Sequence, residues 1–235
     1  MDQLLVALDL DSAAEAHAMA DGLRGAVGGF KVNVHLFTQE GPAFVKALVE
    51  RGDRVFLDLK FHDIPNTVAS AVRAAARLGV WMLNVHASGG RSMLEAARRA
   101  ADQSAEDHGH RPLVIAVTVL TSLNELALGE VGIPAHPDAQ AERLAALAQD
   151  AGLDGVVASP LEARRIRERC GPEFLIVTPG IRGAADRADD QARTLSAVEA
   201  VQAGTNYLVV GRPILRASDP RQAARAIAGS LGTLK

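Results

Sequence analysis

Eight short apolar runs of β-forming character recur along the chain, at Leu4–Leu8, Gly29–Val34, Arg54–Leu57, Val80–Val85, Leu113–Val119, Gly155–Val157, Phe174–Val177 and Tyr207–Val210. Between them lie segments rich in Ala, Leu, Arg, Glu and Gln with helical spacing, predicting helices near 12–24, 38–51, 65–78, 90–102, 138–151, 160–169, 189–203 and 219–231. Ser12-Ala-Ala-Glu15 and Ser159-Pro-Leu-Glu162 fit capping boxes, the second with proline at the first helical position, and Asp219-Pro220 opens the last helix. The runs are nearly continuous in apolar residues, as strands buried on both faces require. Eight strand–helix alternations without a composition break predict an α/β fold, a (β/α)8 barrel forming a single domain over 1–235. A doubly wound open sheet is the competing architecture.

A barrel of this kind carries its chemistry at the C-terminal ends of its strands. Candidate reactive residues fall there: Asp9 after the first run, Lys31 in the second, and Asp58, Lys60 and Asp63 after the third. His86 precedes Gly89-Gly90 after the fourth run, and Thr118-Val-Leu-Thr-Ser122 ends the fifth. Thr178-Pro-Gly-Ile-Arg182-Gly183 and Gly211-Arg212-Pro213 follow the seventh and eighth. By alternation, Asp58 and Lys60 point the same way. A lone D-x-K reads as a solvated ion pair; its place at the barrel rim makes it an active-site candidate. The loops after the seventh and eighth strands are where such barrels hold phosphate, and Gly180, Gly183, Gly211, Arg182 and Arg212 suit that task. The polar stretch 182–190 has the length of a lid.

Composition narrows the classes further. Net charge of −3 and 3% aromatics argue against nucleic acid binding, and no apolar stretch has the length of a membrane span. With 48% apolar residues the chain can bury a large core. No signal peptide is visible, and a single cysteine, Cys170, fits a reducing compartment, so a cytoplasmic location is expected. Cys170 lies beside Arg164-Arg-Ile-Arg-Glu-Arg169, whose cations favour a thiolate, but no histidine is near to serve as its base. His17 falls in a helix, and His108 and His110 in a polar loop. No metal-binding spacing and no G-x-G-x-x-G after a strand is present.

The ten residues Asp58-Leu-Lys-Phe-His-Asp-Ile-Pro-Asn-Thr67 resemble the signature of the orotidine 5′-phosphate decarboxylase family. Val6-Ala-Leu-Asp9, Phe30-Lys31-Val32, Asn84-Val-His-Ala-Ser-Gly-Gly90, Leu120-Thr-Ser122, Thr178-Pro-Gly-Ile-Arg182 and Val210-Gly-Arg-Pro213 follow in the family's order. The resemblance implies decarboxylation of orotidine 5′-monophosphate to UMP in de novo pyrimidine synthesis, without metal or organic cofactor. By motif it makes Lys60 the proton donor to C6 and sets Asp58 against the substrate carboxylate. Lys31 and Asp9 would contact the ribose, within a charge network Lys31–Asp58–Lys60–Asp63. Thr121 would face the pyrimidine, Gln191 would bridge base and phosphate, Arg182 would belong to the same lid, and Gly211 and Arg212 would hold the phosphate. The resemblance also implies a homodimer in which Asp63, Ile64 and Thr67 reach the neighbouring site.

The chain departs from the family after Phe30-Lys31-Val32, where Asn33 stands at a position commonly glycine, and a side chain there is expected to be accommodated locally. One alternative is a Mg²⁺-dependent sugar-phosphate decarboxylase or aldolase of the same suprafamily, in which an acid is expected where Lys31 stands. Another is a non-catalytic nucleotide-phosphate binder, which has no need of a buried acid–base–acid array.

Overall fold

The structure is a computed structural model that describes residues 1–181 and 196–232. Eight parallel strands, β1 Leu4–Ala7, β2 Gly29–Asn33, β3 Val55–Phe61, β4 Met82–His86, β5 Leu113–Val117, β6 Gly155–Val157, β7 Leu175–Pro179 and β8 Tyr207–Val210, pair in chain order. β8 closes on β1, with Leu4 opposite Leu208 and Val6 opposite Val210. The closed (β/α)8 barrel is the architecture the alternating runs predict.

The helices are α1 Ala13–Leu23, α2 Val34–Glu50, α3 Pro65–Ala76, α4 Arg91–His108, α5 Glu125–Glu130, α6 Pro137–Asp150, α7 Ala163–Cys170, α8 Ala197–Gln202, α9 Arg212–Leu215 and α10 Pro220–Gly232. Two start signals act as read: the Ser12 hydroxyl accepts from Glu15 N–H, and the Asp219 carboxylate from Gln222 N–H. The third is displaced. Glu162 accepts from Ser159 N–H at 3.0 Å, yet Pro160–Glu162 form a turn and α7 begins at Ala163.

Other boundaries shift for local reasons. α2 begins four residues before the predicted 38, because the Asn33 side chain caps it by accepting from Leu36 N–H. It then breaks at Gly41 (φ 72°), ahead of Pro42. α4 continues past 102 to His108, where Gly109 in the left-handed conformation ends it. His108 is therefore helical, while His110 reaches the Val80 carbonyl. α5 and α9 are short elements in segments that carry no long periodic pattern.

Side-chain parity along the strands sorts the core into two compartments. Leu4, Val6, Leu8, Val55, Leu57, Leu83 and Val85 face the helices. Leu5, Ala7, Phe56, Met82, Ile115, Val177 and Val209 fill the barrel interior. That parity continues into the charged end of β3, where Leu59 and Phe61 pack outward. The strand therefore runs through Asp58 and Lys60, rather than stopping at Leu57 as the apolar run suggested.

The barrel wall tolerates little added volume. A Cβ at Gly155 would lie 2.3 Å from the Leu175 carbonyl oxygen and 2.5 Å from Leu175 Cβ, whereas one at Gly22 in α1 meets nothing within 4 Å. Gly155→Ala should destabilise the protein by about 3 kcal/mol, and Gly22→Ala should stabilise it by about 0.5 kcal/mol. Urea-unfolding midpoints check both; equal effects at the two positions would contradict the strand packing.

Candidate active site

At the C-terminal end of the barrel the inward positions stop being apolar. Asp9, Lys31, Asp58 and Lys60 follow the inward parity of Ala7 and Phe56 and line one cavity of about 610 Å³. Thr121, Gly211 and Arg212 complete its rim. Seven of the predicted site residues thus converge on one space.

Four of them form a continuous chain of ion pairs. Lys31 Nζ stands 3.2 Å from Asp9 Oδ1 and 3.3 Å from Asp58 Oδ2, and Lys60 Nζ donates to Asp58 Oδ1 at 2.6 Å. Lys31 and Asp58 are 9% and 8% exposed, so their charges are held away from bulk water and depend on each other. Burial pushes the Asp58 carboxyl up. Lys31, Lys60 and hydrogen bonds from Lys60 and Asn84 more than offset this and hold it below the usual carboxylate range.

Two asparagines that sequence reasoning did not assign support this chain. Asn84, 1% exposed, donates to Asp58 Oδ1 at 2.6 Å and accepts from Lys60 N–H at 2.8 Å. A polar side chain inside Met82-Leu-Asn-Val85 must find buried partners, and that rule is the signal that points to it. Asn33 donates to Asp9 Oδ1 at 2.8 Å while capping α2. The Asn33 side chain therefore fastens Asp9, and Lys31 keeps its place between the two acids.

The remaining predictions divide. Asp63, Ile64 and Thr67 are exposed on the outer rim and do not line the cavity of their own chain. Asp63 and Ile64 instead border a shallow depression with His62, Pro65, Ser88 and Gly89. Among the described residues the ion-pair chain does not extend from Lys60 to Asp63. Thr118 and Thr178 take the outward parity, bonding the Val157 carbonyl and Thr205. Arg182 and Gln191, with Gly183 and the rest of the lid, lie outside the described residues.

Gly211 lies close to the acid at the end of the neighbouring strand β1, since a Cβ there would sit 3.4 Å from Asp9 Oδ2. The His86 ring lies 5.3 Å from that of His62. Burial, then His62 and Lys60, lower its pKa and favour the neutral imidazole. Cys170 is buried on the helical side of the barrel, where burial pushes its thiol up and outweighs the lowering by the nearby arginines.

A family model described as "Orotidine 5′-phosphate decarboxylase / HUMPS family" matches residues 2–227. The chain belongs to this family. Among its relatives, orotidine 5′-phosphate decarboxylase of Moorella thermoacetica is 54% identical over all of this chain and 94% of its own length. That of Alkalilimnicola ehrlichii is 55% identical over 93% of this chain and 91% of its own. The crystal structure of orotidine 5′-phosphate decarboxylase from Lactobacillus acidophilus superposes with a TM-score of 0.85 at 38% identity, covering 97% of this chain and 98% of that one. The span matched to the family contains the whole ion-pair chain and the rim at Gly211 and Arg212.

Because the folded-state pKa of Asp58 is depressed, its ionised form contributes stability that is complete above about pH 4 and fades as pH falls through the folded value. Asp58→Asn takes the carboxylate partner from Lys60 and leaves buried Lys31 with Asp9 alone, and should cost about 3 kcal/mol at pH 7. Chemical denaturation from pH 7 downward should show the gap to wild type narrowing below about pH 4. A gap independent of pH would remove the Asp58 charge from this account.

Proposed function

We propose that the protein decarboxylates orotidine 5′-monophosphate to UMP, the last step of de novo UMP synthesis. The observation that carries this reading is the chain Asp9–Lys31–Asp58–Lys60 across the cavity floor, in a chain about half identical to named orotidine 5′-phosphate decarboxylases. In the reaction the C6–carboxylate bond breaks heterolytically, CO₂ leaves, and the electron pair stays in an sp² orbital at C6 with no electron sink. An ammonium already in place stabilises that charge without reorganising. The Lys60 ammonium then transfers a proton to C6 and is reprotonated from water. Asp58 faces the departing carboxylate and pairs with both lysines. Asp9 and Lys31 take the ribose hydroxyls, and Thr121 faces the pyrimidine.

Gly211 and Arg212, with Arg182 and Gln191 of the lid, take the phosphate end. These contacts lie away from the breaking bond, so their binding energy serves orientation and closure. The chemistry is assigned no metal or organic cofactor. Lys31 Nζ, between two carboxylates, occupies the place where a Mg²⁺-dependent relative needs an acid and supplies a positive charge there itself.

The working form is a homodimer. Asp63, Ile64 and Thr67 serve the neighbouring subunit's site; in support, they lie on the rim outside their own cavity, with Ile64 67% exposed. The setting is the cytoplasm, in keeping with a single buried thiol. Among the described residues no helix is long and apolar enough to cross a membrane.

Lys60→Ala should lower kcat by about 1,000-fold or more while UMP binding stays within about threefold, since ribose and phosphate contacts persist. Turnover near wild type would strip Lys60 of the proton-donor role. Mixing Lys60→Ala and Asp63→Asn chains should restore activity, because in the mixed dimer one site keeps Lys60 of one chain and Asp63 of the other. No recovery after subunit exchange would place Asp63 in its own chain's site or outside catalysis.

A further inference from the structure

We propose that Asn84 is the positioning residue for the reacting pair, its one amide fastening the Lys60 backbone and the Asp58 carboxylate into a single unit. This inference deepens the decarboxylase reading and rests on it. Lys60 is the one non-glycine residue with positive φ (52°) among the described residues. That conformation opposes the preference of any side chain with a Cβ, so the surroundings must hold it.

The sheet itself does not do so. Pairing between β3 and β4 shifts register after Leu57 and resumes only at Phe61 opposite Val85. In this gap the Lys60 N–H donates to Asn84 Oδ1 at 2.8 Å instead of to a strand carbonyl. The other end of the amide, Nδ2, donates to Asp58 Oδ1 at 2.6 Å, the oxygen that also takes the Lys60 ammonium. A flipped amide would set oxygen against the carboxylate and NH₂ against an N–H, so only one orientation satisfies both partners. At 1% exposure no water can take over either bond.

The consequence is specific. The two donors of Lys60, its backbone N–H and its side-chain ammonium, are tied together through one amide and one carboxylate. Loosening Asn84 frees the ammonium to leave the reacting carbon, while Thr121, Gly211 and Arg212 at the rim of the cavity are untouched.

The test compares Asn84→Ala and Asn84→Asp with wild type, referring rates to sites counted by UMP titration so that unfolded protein does not enter. Asn84→Ala should lower kcat by about 30-fold with the Kd for UMP within about threefold. Asn84→Asp keeps the acceptor for Lys60 N–H but faces Asp58 with a second carboxylate, so the acid limb of kcat should move up by about a pH unit. If Asn84→Ala does not fold, the nearly isosteric Asn84→Asp decides alone. A kcat per site within about threefold of wild type for Asn84→Ala, or an unmoved acid limb for Asn84→Asp, would reduce Asn84 to core packing. Wild-type turnover separates the two readings: an inactive wild type sinks the decarboxylase proposal, whereas an active wild type with active variants sinks only this one.

Discussion

Asp58 is an acid buried within β3 with an ammonium on either side, and most of the site follows from keeping it charged. A carboxylate so enclosed is costly unless it is paired and hydrogen-bonded. Lys31 and Lys60 supply the charges and Asn84 the neutral donor. Each lysine in turn gains a carboxylate partner, and Asp9 extends the alternation to the rim. The charges therefore hold one another in place before any substrate arrives, which is what stabilising a carbanion at the moment of reaction requires.

The barrel makes that array affordable. Its parallel strands place every second residue inward, so a simple change from apolar to polar at the upper inward positions builds a charged floor over an apolar plug. Ala7 precedes Asp9 on this path, and Phe56 precedes Asp58. On the outward path Leu57, Leu59 and Phe61 remain anchored against the helices through the same stretch. Cavity-lining charges and core residues alternate along one strand, and neither set interrupts the other.

Much of this was legible in the sequence, for a physical reason. Strands buried on both faces leave long apolar runs, and reactive groups at their ends break those runs where function lies. The convergence of Asp9, Lys31, Asp58, Lys60, Thr121, Gly211 and Arg212 followed from that rule together with the family resemblance. What escaped was of a different kind. The end of β3 was hidden because Asp58 and Lys60 look like loop residues unless Leu59 and Phe61 are weighed with them. The early start of α2 depended on the side chain of Asn33, which bonds forward to Leu36 and across to Asp9. Asn84 was quoted only within a motif, since a sequence shows a buried amide but not the register gap that it fills. Thr118 and Thr178 were placed with the reactive residues, and parity turned them outward.

The central claim is that fixed ammonium groups, and no metal, carry the charge of the decarboxylation. Its most direct measurement is the conversion of orotidine 5′-monophosphate by EDTA-treated protein, followed by CO₂ release and by the change in pyrimidine absorbance. Stoichiometric formation of UMP is expected, at a rate unchanged by EDTA and unchanged again by added Mg²⁺. Absence of conversion, or conversion that requires Mg²⁺, would contradict it.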